Sequence, residues 1–371
     1  MSTTINVNDI HKFFKEEDFD SFLVNKEADD KGLYIITMED LVDILHDQIE
    51  KILSNYITEE FKINISDSLK LNEYVEKTMV VSFEKRTLSP SFRLNHIYSS
   101  NFCDKEGDII HISKESCYSK ISNILMNIVD ILLNADENPF ASNGNSEPCN
   151  DSFFTKVLKP NKIYAVLVNY DSNKSYLQDK PHRRIYNDLA LFYKVLVNET
   201  EEDLASITIT DVIAEDSLGL NEEEIYNLAL YNTRILFPCT TTSVLDALMS
   251  MTGLELEDEE AEDLDTGMIL VTNNKMSYGA VNLIYPDIFK DIAKKFNVDK
   301  LIIIPSSIHE LIVVPGELHG SFDETVENVS EMVSSITDEH VNQEDKLSKS
   351  VYYYDAIKNV IEVADLGENL F

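Results

Sequence analysis

The stretch IIIPSSIHELIVVP, Ile302 to Pro315, sets two apolar runs either side of a polar knot made of Ser306, Ser307, His309 and Glu310. Both runs are rich in β-branched residues, and Pro305-Ser306-Ser307-Ile308 is turn chemistry, so the stretch reads as a β-hairpin. The knot also invites a catalytic reading. Ser307 and His309 lie two apart and point the same way in an extended chain. A nucleophile, however, needs a base held by a third group and an oxyanion hole, and no G-x-S-x-G elbow is present. Ser306, Ser307, His309 and Glu310 are therefore weak catalytic candidates, and the hairpin reading prevails. A metal reading would gather His309, Glu310, Glu317 and His319, but no HExxH helix fixes their geometry, and no metal is expected.

Outward from this hairpin, GMILVTNNKMSYGAVNLIY (267–285) reads as another, turning at Asn273 and Asn274 with Gly279 at a bulge. PDIFKDIAKKF reads as a helix opening at Pro286, SFDETVENVSEMVSSI as a further helix, and VYYYDAIKNVIEVA as a third hairpin. The order ββαββαββ predicts an antiparallel sheet with helices packed on one face. Upstream, TMEDLVDILHDQIEKIL predicts a helix capped by Thr37, and SKESCYSKISNILMNIVDILLN one capped by Ser113. YVEKTMVVSFEKR, SPSFRLNHIY, KIYAVLVNY, RIYNDLALFYKVLV and ASITIT read as strands, with a short helix near DSNKSYLQD. Asn221 predicts a helix start ahead of Glu222, Glu223 and Glu224, and TTSVLDALMSM a further helix. Loop-rich NADENPFASNGNSEPCN and acidic LELEDEEAEDLD divide the chain into three α+β modules, 1–135, 151–252 and 267–371.

Length supports this division, since 371 residues exceed what one core usually organises. Four cysteines with no CxxC pair indicate reduced thiols in the cytosol rather than a disulfide scaffold or zinc site. No apolar run approaches the ~20 residues of a membrane helix, and no signal peptide opens the chain, so a soluble cytoplasmic protein is expected. The ten glycines form neither G-x-G-x-x-G nor a P-loop, and no cofactor is indicated.

Charge is the one extreme property. The chain carries 31 Lys+Arg against 67 Asp+Glu, net −36. Between Lys194 and Lys275 stands one basic residue, Arg234, against 19 acidic ones, an excess of 18. Such a chain repels nucleic acid and anionic membranes, and its natural partner is basic. The compact basic cluster KPHRR, with His182, Arg183 and Arg184, is a candidate anion clamp that more simply pairs with acidic neighbours.

The segments LSPSFRLN, VLVNY with KPHRRIYNDLALFY, SITIT, NTRILFP, VTNNKMSYGAVNLIY, IIPSSIHELIVVP and VYYYD, in this order, resemble a bacterial family known only as a domain of unknown function, from about residue 75 onward. The resemblance implies a bacterial or phage-borne cytosolic protein and brings no activity, cofactor or catalytic residue. It draws attention to Asn169, His182, Arg183, Asn273, Gly279, Ser306, Ser307, His309 and Glu310. The sequence thus leads us to expect an interaction protein that binds a basic protein, as a nucleic-acid mimic would, through Glu257, Asp258, Glu259, Glu260, Glu262 and Asp263. The alternative is an enzyme of unrecognised type, sited at Ser306–Glu310 or Lys180–Arg184.

Overall fold

A computed structural model of the chain describes residues 14–24, 26, 28–84, 89–104, 107–134, 158–199, 204–253, 267–305, 307–317, 321–330 and 341–364. They form two compact units, Met1–Leu69 with Val75–Asn150, and Lys70–Tyr74 with Asp151–Phe371. The class is α+β, and all three sheets are antiparallel. Among the described residues no helix is long and apolar enough to cross a membrane.

In the first unit, in chain order, lie α1 (Glu16–Leu23), α2 (Met38–Tyr56), β1 (Phe61–Leu69), β2 (Val75–Phe83), β3 (Ser91–Arg93), α3 (Leu94–Phe102) and α4 (Lys114–Asn134). Helix α2 starts at the predicted cap. Thr37 accepts the Asp40 N–H and Asp40 accepts the Thr37 N–H, closing a capping box. Leu41, Ile44, Leu45 and Ile49, spaced three to four apart, bury one face in a core shared with Ile121, Leu125 and Ile128 of α4 and Met79 and Val81 of β2.

The stretch SPSFRLNHIY is a strand only at Ser91–Arg93 and then turns into α3. Arg93 makes no side-chain cap. Instead the buried Glu76 carboxylate, on β2, accepts the Asn95 N–H at 2.9 Å and the Arg93 guanidinium at 3.0 Å. A carboxylate at a helix N-terminus meets both the open N–H groups and the positive dipole end, so the helix begins where Glu76 awaits it. Strand β1 gives a weak sequence signal because its apolar Phe61, Ile63 and Ile65 alternate with Lys62, Asn64 and Ser66 and are only half-buried, and Asp67 and Ser68 follow.

The second unit contains a four-stranded and a six-stranded sheet. The first comprises β4 (Ile163–Asn169), β5 (His182–Ile185), β6 (Leu189–Glu199) and β7 (Leu204–Thr208), with α5 (Lys174–Leu177) between β4 and β5. Strand β6 is central, flanked by β4 on one side and by β5 and then β7 on the other. RIYNDLALFYKVLV is therefore two strands and not one. Tyr186 takes a positive φ of 47°, and the chain turns there through Asn187 and Asp188. The Asp188 carboxylate accepts hydroxyl hydrogen bonds from Ser348, Ser350 and Tyr352, which anchor the turn. Helix α6 (Glu222–Leu236) begins at the predicted cap Asn221, which closes a capping box with Glu224, and its Thr233 hydroxyl accepts the Ala165 N–H of edge strand β4.

After β8 (Cys239–Ser243), α7 (Val244–Thr252), β9 (Ile269–Asn273), α8 (Pro286–Phe296), β10 (Lys300–Ile304), β11 (Leu311–Pro315), α9 (322–330), β12 (Tyr352–Asp355) and β13 (Val360–Val363), the six-stranded sheet has the order β13-β12-β10-β11-β9-β8. The hairpins β10–β11 and β12–β13 pair as predicted, Leu301 opposite Pro315 and Tyr352 opposite Val363. Residues 267–285 do not form a hairpin. β9 pairs with β8 and β11, and Gly279–Ile284 is a 3-10 helix with Gly279 at its start. Because β8 and β9 pair across residues 254–266, the stretches 151–252 and 267–371 share one core, in which Val166, Leu191, Val271, Leu283 and Tyr352 are all buried. Helices lie on both faces of the sheet: Phe289 of α8 joins Leu301 and Ile303 in that core, while Val326 and Val329 of α9 pack with Ile302, Ile304 and Val314.

The segment Lys70–Tyr74 belongs to the second unit, and Asn72, with φ 56°, is its anchor. Its amide donates to the carbonyls of Gln343 (2.8 Å) and Lys346 (2.7 Å), and its carbonyl oxygen Oδ1 accepts from Asn173.

In the first unit the Asp40 carboxyl yields a pH test. Burial alone would raise its pKa, but the Lys26 ammonium and the Thr37 N–H and hydroxyl favour the charged form and hold it below its ordinary value. A group lowered in this way stabilises the fold above its unfolded pKa, roughly 4, and loses that contribution as pH falls through the folded value. Asp40→Asn should destabilise by about 1 kcal/mol at neutral pH. In urea denaturation its deficit against wild type should shrink steadily below about pH 4.

Candidate functional site

The turn between β10 and β11 is built from its own polar groups. Ser307 is buried; its hydroxyl donates to Glu310 Oε1 at 2.9 Å and accepts the His309 N–H at 3.0 Å. The His309 ring is engaged at both nitrogens: Nδ1 accepts the Tyr278 N–H at 3.2 Å, and Nε2 lies 3.1 Å from Asp345 Oδ1. With Nδ1 an acceptor, the proton resides on Nε2 and is donated to Asp345. The imidazole thus faces a carboxylate and a main-chain amide, and the serine faces the glutamate. No Ser–His hydrogen bond of the kind that activates a nucleophile exists between them. Ser306 and His319 lie outside the described residues, and Glu317 is exposed.

Around this turn the chain is closely packed. The Thr272 hydroxyl donates to His309 O at 2.8 Å, Asp345 O accepts the Ile308 N–H at 2.9 Å, and the Tyr278 ring lies tilted by 32° against His309, 5.7 Å between centres. Tyr278 adopts φ 56°, a conformation that bulky residues rarely take, and is held there by its N–H bond and ring contact to His309. Gly279 is obligatory for a steric reason, because a Cβ there would lie 2.5 Å from His309 O and closer still to Thr272 Oγ1. Asn273 closes its own turn, accepting the Lys275 N–H at 2.9 Å and donating to Ser277 O at 2.7 Å. Asp345, Thr272 and Tyr278 are the members that sequence reading misses. Asp345 sits 36 residues beyond His309 in a polar segment with no periodicity.

The basic cluster is consumed within the fold. Arg183 forks onto Glu222, at 3.2 and 2.7 Å, reaches Glu223 as well, and stacks on Tyr226 at 3.8 Å. These two carboxylates hold its guanidinium above its ordinary pKa. Glu222 also accepts the Tyr193 hydroxyl at 2.6 Å. Lys180 pairs with Asp179 at 2.6 Å, and Arg184 donates to Asn187 O and stacks on Tyr170. The His182 Nδ1 donates to Lys180 O at 2.8 Å, which leaves Nε2 as its basic nitrogen. His182 lines an open cleft of about 690 Å³ with Gln178, Lys180, Asp211, Glu215 and Glu222. Asn169 caps its local turn by accepting the Ser172 N–H at 3.0 Å. The partner-binding candidates Glu257, Asp258, Glu259, Glu260, Glu262 and Asp263 lie outside the described residues.

The fold and these sites define an α+β protein whose polar turn residues are knitted into its second unit. The chain belongs to the family of unknown function DUF5688, which matches residues 38–356 and so reaches further toward the N-terminus than residue 75. No curated protein and no solved structure matches it.

Two substitutions test the structural reading of the turn. Gly279→Ala should destabilise the second unit by about 1–3 kcal/mol through overpacking. Ser307→Ala should cost about 1–2 kcal/mol by leaving the His309 N–H without its acceptor. Both are read as shifts of the urea midpoint; wild-type midpoints would refute the packing described.

Proposed function

We propose that the protein acts by binding a basic partner protein through its acidic middle region, occupying a site that would otherwise hold phosphates, and without chemistry of its own. The observation that carries this reading is how the polar side chains are used. In the serine turn and the basic cluster alike they are engaged with neighbours, while the sequence between Lys194 and Lys275 keeps an excess of 18 negative charges. Solubility needs far less, a net magnitude of about 2 to 8 for a small domain. Excess like charge destabilises the fold that carries it, and a basic partner would relieve that repulsion. Direct binding of nucleic acid is disfavoured by the same account, because phosphate contacts require available cations. A cytosolic setting fits the free thiols of Cys103, Cys117 and Cys239, the second pushed up to about 12 by burial and so inert.

The test is recovery from host lysate at low and high salt, with the wild-type chain beside one in which Glu257, Asp258, Glu259, Glu260, Glu262 and Asp263 are changed to Gln or Asn. The expected outcome is a basic protein retained at low salt, lost as screening shortens the Debye length to about 8 Å, and weakened by the neutralised variant. A partner indifferent to both changes would rule the reading out.

The cleft beside His182 favours a second reading, a small-ligand or enzyme site at Lys180–Arg184. Native mass spectrometry of the purified chain distinguishes the two, since a bound small molecule lost in His182→Ala would favour the cleft.

A further inference from the structure

In a chain this acidic, the described cations commonly find carboxylates. Lys26, Lys77, Lys114, Lys174, Lys180, Arg183 and Arg234 all do. Lys194, on the central strand β6, is different. Among the described residues its ammonium lies at ion-pair distance from no carboxylate. Its hydrogen bond goes to the Tyr278 hydroxyl, at 3.3 Å, and it sits 4.9 Å from the centre of that ring. Burial disfavours its charge, but the phenols of Tyr278 and Tyr164 outweigh burial and hold its pKa above the ordinary value, so it is an ammonium at neutral pH.

Directly across the sheet, Tyr164 of β4 pairs in register with Lys194, which puts both side chains on one face. Tyr164 is fully buried and packs edge-on against Phe237 at 4.9 Å. Burial pushes the Tyr164 pKa up against a smaller opposing effect of the Ser206 hydroxyl, and among the described residues the Tyr164 hydroxyl has no hydrogen-bond partner of good geometry. A buried donor left open is costly, and here its neighbour is an ammonium whose partners among the described residues are phenols and not carboxylates. Water could satisfy the phenol but could not neutralise the ammonium. What fits both is a group with two acceptor oxygens and a negative charge.

We propose that Lys194, Tyr164 and Tyr278 form a binding site for a small oxyanion, a carboxylate or phosphate group, on the four-stranded sheet of the second unit. The ammonium supplies the charge, the Tyr164 hydroxyl a directed donor, and the Tyr278 hydroxyl, which takes its hydrogen bond from Lys194, turns its own proton toward the ligand. The positive φ of Tyr278 and its anchorage on His309 then acquire a purpose, since they fix the phenol in place against Lys194. This site is independent of the acidic region assigned to the basic partner.

Thermal unfolding of the full-length chain tests it, with chloride replaced stepwise by inorganic phosphate, and separately by acetate, at constant ionic strength. The expected result is a saturable rise in Tm of about 5 °C when the anion exceeds its Kd roughly a hundredfold. A response to phosphate alone identifies a phosphate group, and one to acetate alone a carboxylate. Lys194→Met should abolish the rise. Tyr164→Phe removes one hydroxyl and keeps the ring, and should loosen binding about tenfold. If Lys194→Met does not fold, the Tyr164→Phe and Tyr278→Phe titrations decide the matter. Equal shifts in wild type and variants would place the anion elsewhere, and absence of any shift with either anion would mean that no such site exists; both results overturn the proposal.

Discussion

The His309 imidazole joins segments that the chain keeps far apart. Its Nδ1 receives the amide of Tyr278, its Nε2 meets Asp345, and its own carbonyl is held by Thr272. The β10–β11 turn therefore cannot shift without disturbing the end of β9, the 3-10 helix behind it and the segment 343–346. Because Gly279 allows the backbones to approach so closely, these bonds form between half-buried groups at a tight crossing of the chain. Hydrogen bonds in such a setting specify one arrangement more strongly than they add to its stability.

Charge is handled in a complementary way. Some cations of the second unit lie between carboxylates and aromatic faces, as Arg183 does against Glu222, Glu223 and Tyr226, and Arg234 against Asp287 and Tyr285. Planar guanidinium groups suit this double use, since they fork onto oxygens in their plane and stack on rings above it. Lys194 differs from these two arginines, having the ring and hydroxyl of a phenol where they have acids.

What the sequence made legible follows the range of the interaction concerned. Helix starts at Thr37 and Asn221 were readable because the capping groups lie within three residues of one another. The hairpins β10–β11 and β12–β13 were readable because their strands and turns are contiguous. The start of α3 was not, because its cap is Glu76, which arrives from a neighbouring strand. The same limit hid the turn at Tyr186–Asp188, whose anchors Ser348, Ser350 and Tyr352 come from β12 and the residues just before it. Of the candidate site, Ser307, His309 and Glu310 stood out by residue type, but their roles depended on Asp345 and Tyr278, which no local spacing connects to them.

Asn72 carries a consequence for how the chain is made. Its amide binds carbonyls more than 270 residues downstream. During translation Lys70–Tyr74 leaves the ribosome well before these partners, so this part of the second unit cannot close until residues 343–346 have followed it. Contacts of such long sequence separation slow folding, since the intervening loop must be ordered before they form. A fragment beginning after residue 74 would leave Asn173, Gln343 and Lys346 facing an empty slot, however intact its remaining core.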